Sequence, residues 1–147
     1  VYLLDTNHCT FIIEGEPAVI QRFRAKITVP VVTSVIVAGE LYFMAQNSQQ
    51  QTANRLKIHA FLQRLDVIPI SLAIASIYGE FKTELLLHYG PRERSRRRTT
   101  KLQEIGISEN DLWIAATALY HSFTVVSADR DFERMQQVRA FNLESWL

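Results

Sequence analysis

The chain has 147 residues, 48% of them hydrophobic and 21% charged, with a formal net charge of +1. Those proportions suit a soluble domain whose core folds without staples, and we expect a single domain over residues 1–147. The lone cysteine, Cys9, excludes an intrachain disulfide.

That cysteine usage fits a reducing compartment. No apolar run approaches the ~18 residues of a membrane span, and no signal-peptide pattern precedes the first strand. The expectation is a cytoplasmic protein with no membrane partner. The charge is unevenly spread. The stretch "RERSRRRTTK" at 92–101 holds six basic residues and one acid, which leaves the rest of the chain net negative, about −4.

Taken in order, residues 2–4 read as a buried strand. "EPAVIQRFRAK" reads as a helix with Pro17 near its first position. "VPVV" (29–32) is a second strand, and Ser34 caps the helix "VIVAGELYFMAQ". A polar turn precedes the helix "ANRLKIHAFLQRL", and "VIPI" (67–70) is a third strand. Helical spacing of Ile74, Tyr78, Phe81, Leu85 and His88 marks a helix within 71–89. Gly90 to Gly106 reads as a polar, basic loop with a frayed helix end. "SENDLWIAATALYH" is a helix, "FTVVS" (123–127) a fourth strand and "RAFNL" (139–143) a fifth, with a short helix near "RDFERM". Strands alternating with helices imply an α/β fold with a parallel sheet and right-handed crossovers.

In such a sheet the strand C-termini and the following helix N-termini share one edge, where these folds bind ligands. Asp5 ends the first strand, Asp129 follows the fourth, and Asp111 opens the helix before it. Glu40 lies about two turns into its helix. Each Asp also has a plain structural role open to it. Ser108-x-x-Asp111 is a capping-box pattern, Asp129 and Asp131 suit the cap of the "RDFERM" helix, and Asp5 suits the cap of the turn at "TNHCTF". Glu40 sits in an almost wholly apolar helix, and burying it demands a cation, either a metal ion or an Arg or Lys from another element.

Carboxylates gathered at ~5 Å repel by ~3 kcal/mol per pair at an effective dielectric of ~20, so such a cluster persists where something positive binds it. Oxygen-only ligands suit Mg²⁺ or Mn²⁺. Zinc does not fit, because Cys9 and the scattered His8, His59, His88 and His121 show no ligand spacing. We read those histidines as surface or core packing.

"LLDTN", the Glu of "VAGELYF", "NDLWIAA" and "VVSADRDF" together resemble the PIN-domain ribonucleases, and within them the VapC-type toxins of bacterial toxin–antitoxin pairs. The resemblance spans the chain in order. It implies a PIN-like three-layer sandwich with a central, mostly parallel sheet of four to five strands. It also implies Mg²⁺- or Mn²⁺-dependent cleavage of RNA. Asp5, Glu40, Asp111 and Asp129 match the family's four acidic positions as catalytic and metal-binding residues, with Thr6, Asn7, Asn110 and Ser127 in support. Asp131 stands close enough in sequence to compete for the metal. The family further implies an antitoxin partner. The long apolar helix at 35–45 suggests a homodimer seam or a partner groove. Arg92, Arg94, Arg96, Arg97, Arg98 and Lys101 are expected to meet the RNA backbone near the acidic cleft, a solvated loop being the other reading of that run.

Two rivals stand beside this. A haloacid-dehalogenase-type phosphatase also starts from an Asp ending the first strand, but needs a second Asp where Asn7 stands. A non-catalytic RNA-binding or scaffold domain of the same fold needs no acids at all.

Overall fold

Five short strands and the order in which they pair decide where the acids of this chain end up. The computed structural model describes residues 1–147. The chain runs β1 (Tyr2–Leu4), α1 (Thr6–Glu14), α2 (Pro17–Ala25), β2 (Val31–Ser34), α3 (Val35–Gln46), α4 (Gln51–Leu62), β3 (Asp66–Ile68) and α5 (Leu72–Tyr89). It continues through α6 (Arg94–Thr99), a 3-10 turn (Leu102–Ile105), α7 (Glu109–His121), β4 (Thr124–Val126), α8 (Arg130–Val138) and β5 (Asn142–Glu144). The sheet order is β3-β2-β1-β4-β5 and every neighbouring pair is parallel.

β1 is the central strand, with Leu4 opposite Thr33 on one side and Val126 on the other. From β1 the chain steps outward to β2 and β3, then crosses back to β4 and β5. Right-handed crossovers place α1–α4 on one face and α5–α8 on the other, giving the expected three layers. Packing follows that division, with α3 against α1 and α4, and α7 against α5 and α8. α3 also reaches α7.

Local chemistry starts and stops these elements. Ser34, Ser71 and Ser108 accept hydrogen bonds from Ile36 N (3.1 Å), Ile74 N (3.2 Å) and Asn110 N (3.2 Å), capping α3, α5 and α7. Gly15 ends α1 at φ +82°, and Gly106 turns the chain into α7 at φ +79°. Both conformations are open to glycine and strained for other residues.

The core runs through Leu3, Leu4, Val32, Val125 and Val126 of the sheet, closed by Phe81, Leu85, Leu112, Ile114 and Phe132 from one helical layer. The C-terminal segment belongs to it. Trp146 is 1% exposed and packs edge-on to Tyr2 and His8 and obliquely to Phe23.

Several expectations change. The stretch "TNHCTF" is helix α1, not a turn. The basic stretch is not all loop, since it contains α6 and the 3-10 turn. β2, β3 and β5 lie at 31–34, 66–68 and 142–144, a few residues from the stretches 29–32, 67–70 and 139–143. In β2 the shift has a visible cause. Pro30 has no N–H to give the ladder, and its carbonyl instead accepts the Tyr2 N–H at 3.0 Å.

Because Trp146 is sealed in the core, Trp146→Ala should destabilise the protein by ~3–5 kcal/mol in urea denaturation. Leu147→Ala, at a residue 60% exposed, should stay within ~0.5 kcal/mol of wild type.

Candidate active site

The chain reverses its direction across the sheet between β1 and β4, and Asp5 sits where β1 ends beside β4. Its backbone N–H donates to the Val126 carbonyl at 3.1 Å, which continues the ladder one residue past the strand. Asp5 is 3% exposed. Oδ1 accepts the His8 N–H at 2.7 Å, capping α1, and lies 3.0 Å from His8 Nδ1. No hydrogen bond occupies Oδ2. Asp5 is thus a helix cap through one oxygen and a cleft residue through the other.

Glu40 reaches the same place from the second turn of α3. Its Oε1 accepts from Asn110 Nδ2 at 2.7 Å, and its Oε2 accepts from the Thr6 hydroxyl. The salt bridge considered for it does not form. Two neutral donors hold it, and the side chain is half-buried rather than sealed in a core.

Asp111 stands in the first turn of α7. The Ser108 hydroxyl caps that turn, accepting from Asn110 N and, at 3.5 Å, Asp111 N. The reciprocal half of the expected capping box is not supplied by Asp111. The Asp111 carboxylate lines the cleft instead. Asp129 caps α8, its Oδ1 accepting from Asp131 N at 2.9 Å. Ser127 holds that turn by accepting the Asp129 N–H at 3.0 Å.

Carboxylate oxygens of Asp111, Asp129 and Asp131 lie within 4.8 Å of one another. Asp5, Thr6, Asn7, Glu40, Asp111, Asp129 and Ser108 line one open cleft of about 340 Å³, with Phe43 and Met44 on its rim. No basic side chain lines it. Burial first, then the charges of Asp129, Glu40, Asp131 and Asp5, push the Asp111 carboxyl up to about 7. Asp131 is also raised, by burial and by Asp129, with the Ser108 N–H and Arg134 acting against the rise. The donor set is all oxygen. His8 is turned into the core and Cys9 is buried. Such a set fits a hard divalent cation such as Mg²⁺ or Mn²⁺.

A PIN-domain family profile matches residues 2–138. The chain belongs to the PIN-domain family. Its relatives place it among the VapC-type members. It is 33% identical over 148 residues to "Ribonuclease VapC2" of Haemophilus influenzae, covering 99% of this chain and 98% of that one. Among solved structures, VapBC2 from Rickettsia felis, bound to a DNA fragment from its promoter, superposes with a TM-score of 0.80 at 26% identity. That match covers 99% of this chain and 98% of that one. A toxin–antitoxin complex from Klebsiella pneumoniae shares the fold at 19% identity, with a TM-score of 0.63 over 100% of this chain and 98% of that one.

All four expected acids of this PIN domain therefore meet in one cleft, with Thr6 and Asn110 bonded to one of them. Asn7 lines the cleft, while Ser127 acts through the backbone beneath it. The basic residues are elsewhere. None of Arg92, Arg94, Arg96, Arg97, Arg98 and Lys101 lines the cleft. Arg94, Arg97 and Arg98 share a groove of about 510 Å³ with Lys82 and Thr83 of α5, because α6 folds back along that helix. Arg96 faces a separate recess beside Tyr89 and Glu104. Lys82 ties the groove towards the cleft by its 2.7 Å ion pair with Glu109, the neighbour of Asn110. The sequence alone marks His8 as packing, and its contact with Asp5 is legible only once α1 is known to be a helix that puts residues 5 and 8 on one side.

A carboxyl whose folded-state pKa is raised from 3.8 to about 7 makes the folded state hold more protons than the unfolded one. Stability is then lost as pH rises through that window. In EDTA, Asp111→Asn should match wild type near about pH 4 and exceed it near about pH 8, by at most ~4 kcal/mol, in denaturant titrations at both pH values.

Proposed function

We propose that this PIN domain, spanning residues 1–147, is a cytoplasmic, Mg²⁺- or Mn²⁺-dependent endoribonuclease and the toxin of a toxin–antitoxin pair. The observation that carries the reading is the convergence of Asp5, Glu40, Asp111 and Asp129 on one open cleft with no basic side chain lining it. No helix is long and apolar enough to cross a membrane.

Asp5 Oδ2 and the Asp111 carboxylate would hold the cation, with Asp129 and Glu40 beside them. When bound, a divalent cation supplies charge that stabilises the transferring phosphoryl group and favours loss of a proton from water. The chain's own residues do the rest. Glu40 is fixed by Thr6 and Asn110, so its carboxylate keeps one orientation and can order a water through its remaining lone pairs. Asp111, raised to about 7 in the metal-free protein, ionises readily once positive charge arrives. Asp131 gives its backbone N–H to the Asp129 cap and brings a third carboxylate to within 4.8 Å of Asp111 and Asp129.

RNA would lie across the cleft and along the groove of Lys82, Arg94, Arg97 and Arg98. Arg97 is partly committed to the Pro91 and Arg92 carbonyls, so Arg94 and Arg98 are the freer phosphate contacts.

An antitoxin would cover the other side. Met44 belongs both to the cleft rim and to a groove between α1, α3 and α4 lined by Ile13, Leu41, Ala45 and Ile58. Phe43 is 70% exposed beside it. One apolar strip thus leads from the groove to the acids, and a single partner segment can occupy both. A homodimer belongs to the same reading and is tested by sedimentation.

Asp5→Asn, Asp111→Asn, Asp129→Asn and Glu40→Gln should each abolish RNA cleavage at ordinary Mg²⁺. Wild type should cleave with Mg²⁺ and fail in EDTA. Full activity in the Asp5 or Asp111 variant sinks the cation-site reading, whereas RNA binding without cleavage in either condition favours the non-catalytic alternative. Replacing both Arg94 and Arg98 by Ala should weaken RNA binding and lower the slope of log affinity against log salt by ~0.7 per lost phosphate contact. An unchanged slope would remove the groove from the substrate path.

A further inference from the structure

His8 is fully buried, titratable and unused by the chemistry above. Its ring lies between the site and the C-terminal segment. Nδ1 is 3.0 Å from Asp5 Oδ1, and the backbone N–H of Trp146 donates to Nε2 at 3.4 Å. A backbone N–H can only donate, so Nε2 carries a lone pair and the ring proton resides on Nδ1. Nδ1–H therefore donates to Asp5.

Asp5 Oδ1 thus receives two hydrogen bonds from one residue, the His8 backbone N–H at 2.7 Å and the ring N–H at 3.0 Å. The cap bond alone leaves the carboxylate plane free to swing. A second donor from a different direction removes that freedom. The ring itself cannot turn, because Phe11 and Trp146 meet it edge-on with centroids 5.7 and 6.5 Å away.

We propose that His8 is a positioning residue, an Nδ1–H donor that fixes the Asp5 carboxylate so that Oδ2 faces the cation. The proposal rests on the cation-site reading above. It explains why a buried imidazole stands where an apolar side chain would fill the core as well. Left with the cap bond alone, Asp5 is free to turn away from the neighbouring carboxylates. Held by two donors, it must face them. The arrangement is that of an outer hydrogen bond that orients a metal ligand, for which removal of the outer partner weakens binding ~10–100-fold.

The test compares His8→Leu, which keeps bulk and loses the donor, with His8→Asn, whose side-chain amide can present an N–H close to where Nδ1 stood. Mn²⁺ affinity is read by electron paramagnetic resonance of the free ion, folding by thermal melting, and RNA cleavage as kcat and KM separately. His8→Leu should bind Mn²⁺ ~10–100-fold more weakly and lose kcat with KM for RNA unchanged. His8→Asn should recover most of both. A folded His8→Leu protein that binds Mn²⁺ as tightly as wild type overturns this proposal alone, and so does a His8→Asn protein as weak as His8→Leu. Wild type that binds no Mn²⁺ overturns the cation site and the proposal with it. Should His8→Leu fail to fold, nitrogen-15 shifts of His8 in wild type decide, since a ring protonated at Nε2 contradicts the assigned donor.

Discussion

Negative charge concentrated at the turning point of the sheet is the constraint on which the rest of this structure depends. Asp5, Glu40, Asp111 and Asp129 line one cleft without a basic side chain among them. At ~5 Å and an effective dielectric of ~20, each pair of like charges costs ~3 kcal/mol. The metal-free protein relieves part of this by keeping Asp111 protonated up to about pH 7. Another part is met by the backbone. Three helices, α1, α7 and α8, begin at this cleft, and each N-terminus carries a partial positive charge of roughly +0.5. Asp5 and Asp129 are the caps of two of them, and Asp111 sits in the first turn of the third.

That geometry lets one carboxylate both cap a helix and stay open to the cleft. A carboxylate has two oxygens with about four acceptor sites. Asp5 and Asp129 each spend one oxygen on a backbone N–H and keep the other. The cap fixes the side chain, and the parallel sheet brings the helix starts together. Where a neighbouring chain segment must also be joined, the work falls to groups outside the four acids. Ser108 caps α7, and Ser127 holds the turn into α8. The clamp on Glu40 is built likewise, from Thr6 of α1 and Asn110 of α7. Neutral donors suit this position better than a lysine would, because they hold the carboxylate without neutralising the charge that the cleft concentrates.

Much of this was legible in the sequence, and the reasons are specific. A strand that is apolar through Leu4 and then meets Asp5 can only be leaving the core there. Alternation of strands and helices then fixes the edge to which Asp5, Asp111 and Asp129 go. What was not legible depended on contacts between distant segments. "TNHCTF" mixes β-branched and polar residues of low helix propensity. It becomes helical because Asp5 caps it and Cys9 is buried beneath it. His8 offers no ligand spacing to any other histidine, and its partners, Asp5 and the backbone of Trp146, meet only in the folded chain. The distribution of the arginines was likewise hidden. A run of cations has no periodic apolar face to read, and α6 buries none of its residues.

The separation of the two charge systems is itself informative. Had the arginines lined the cleft, they would have paired with its carboxylates, and neither set would remain available. α6 instead lies along α5, and only Lys82, through Glu109, connects the groove towards the acids. At physiological salt, charges more than ~8 Å apart are largely screened from one another. The acids and the groove line separate recesses that share no residue, and so hold opposite potentials on one small domain. A polyanion meeting this surface is attracted along the α5–α6 groove and repelled at the cleft, until positive charge enters among the carboxylates. On the proposed function, binding and reaction would fall under different electrostatic control, one answering to salt and the other to occupancy of the acidic site.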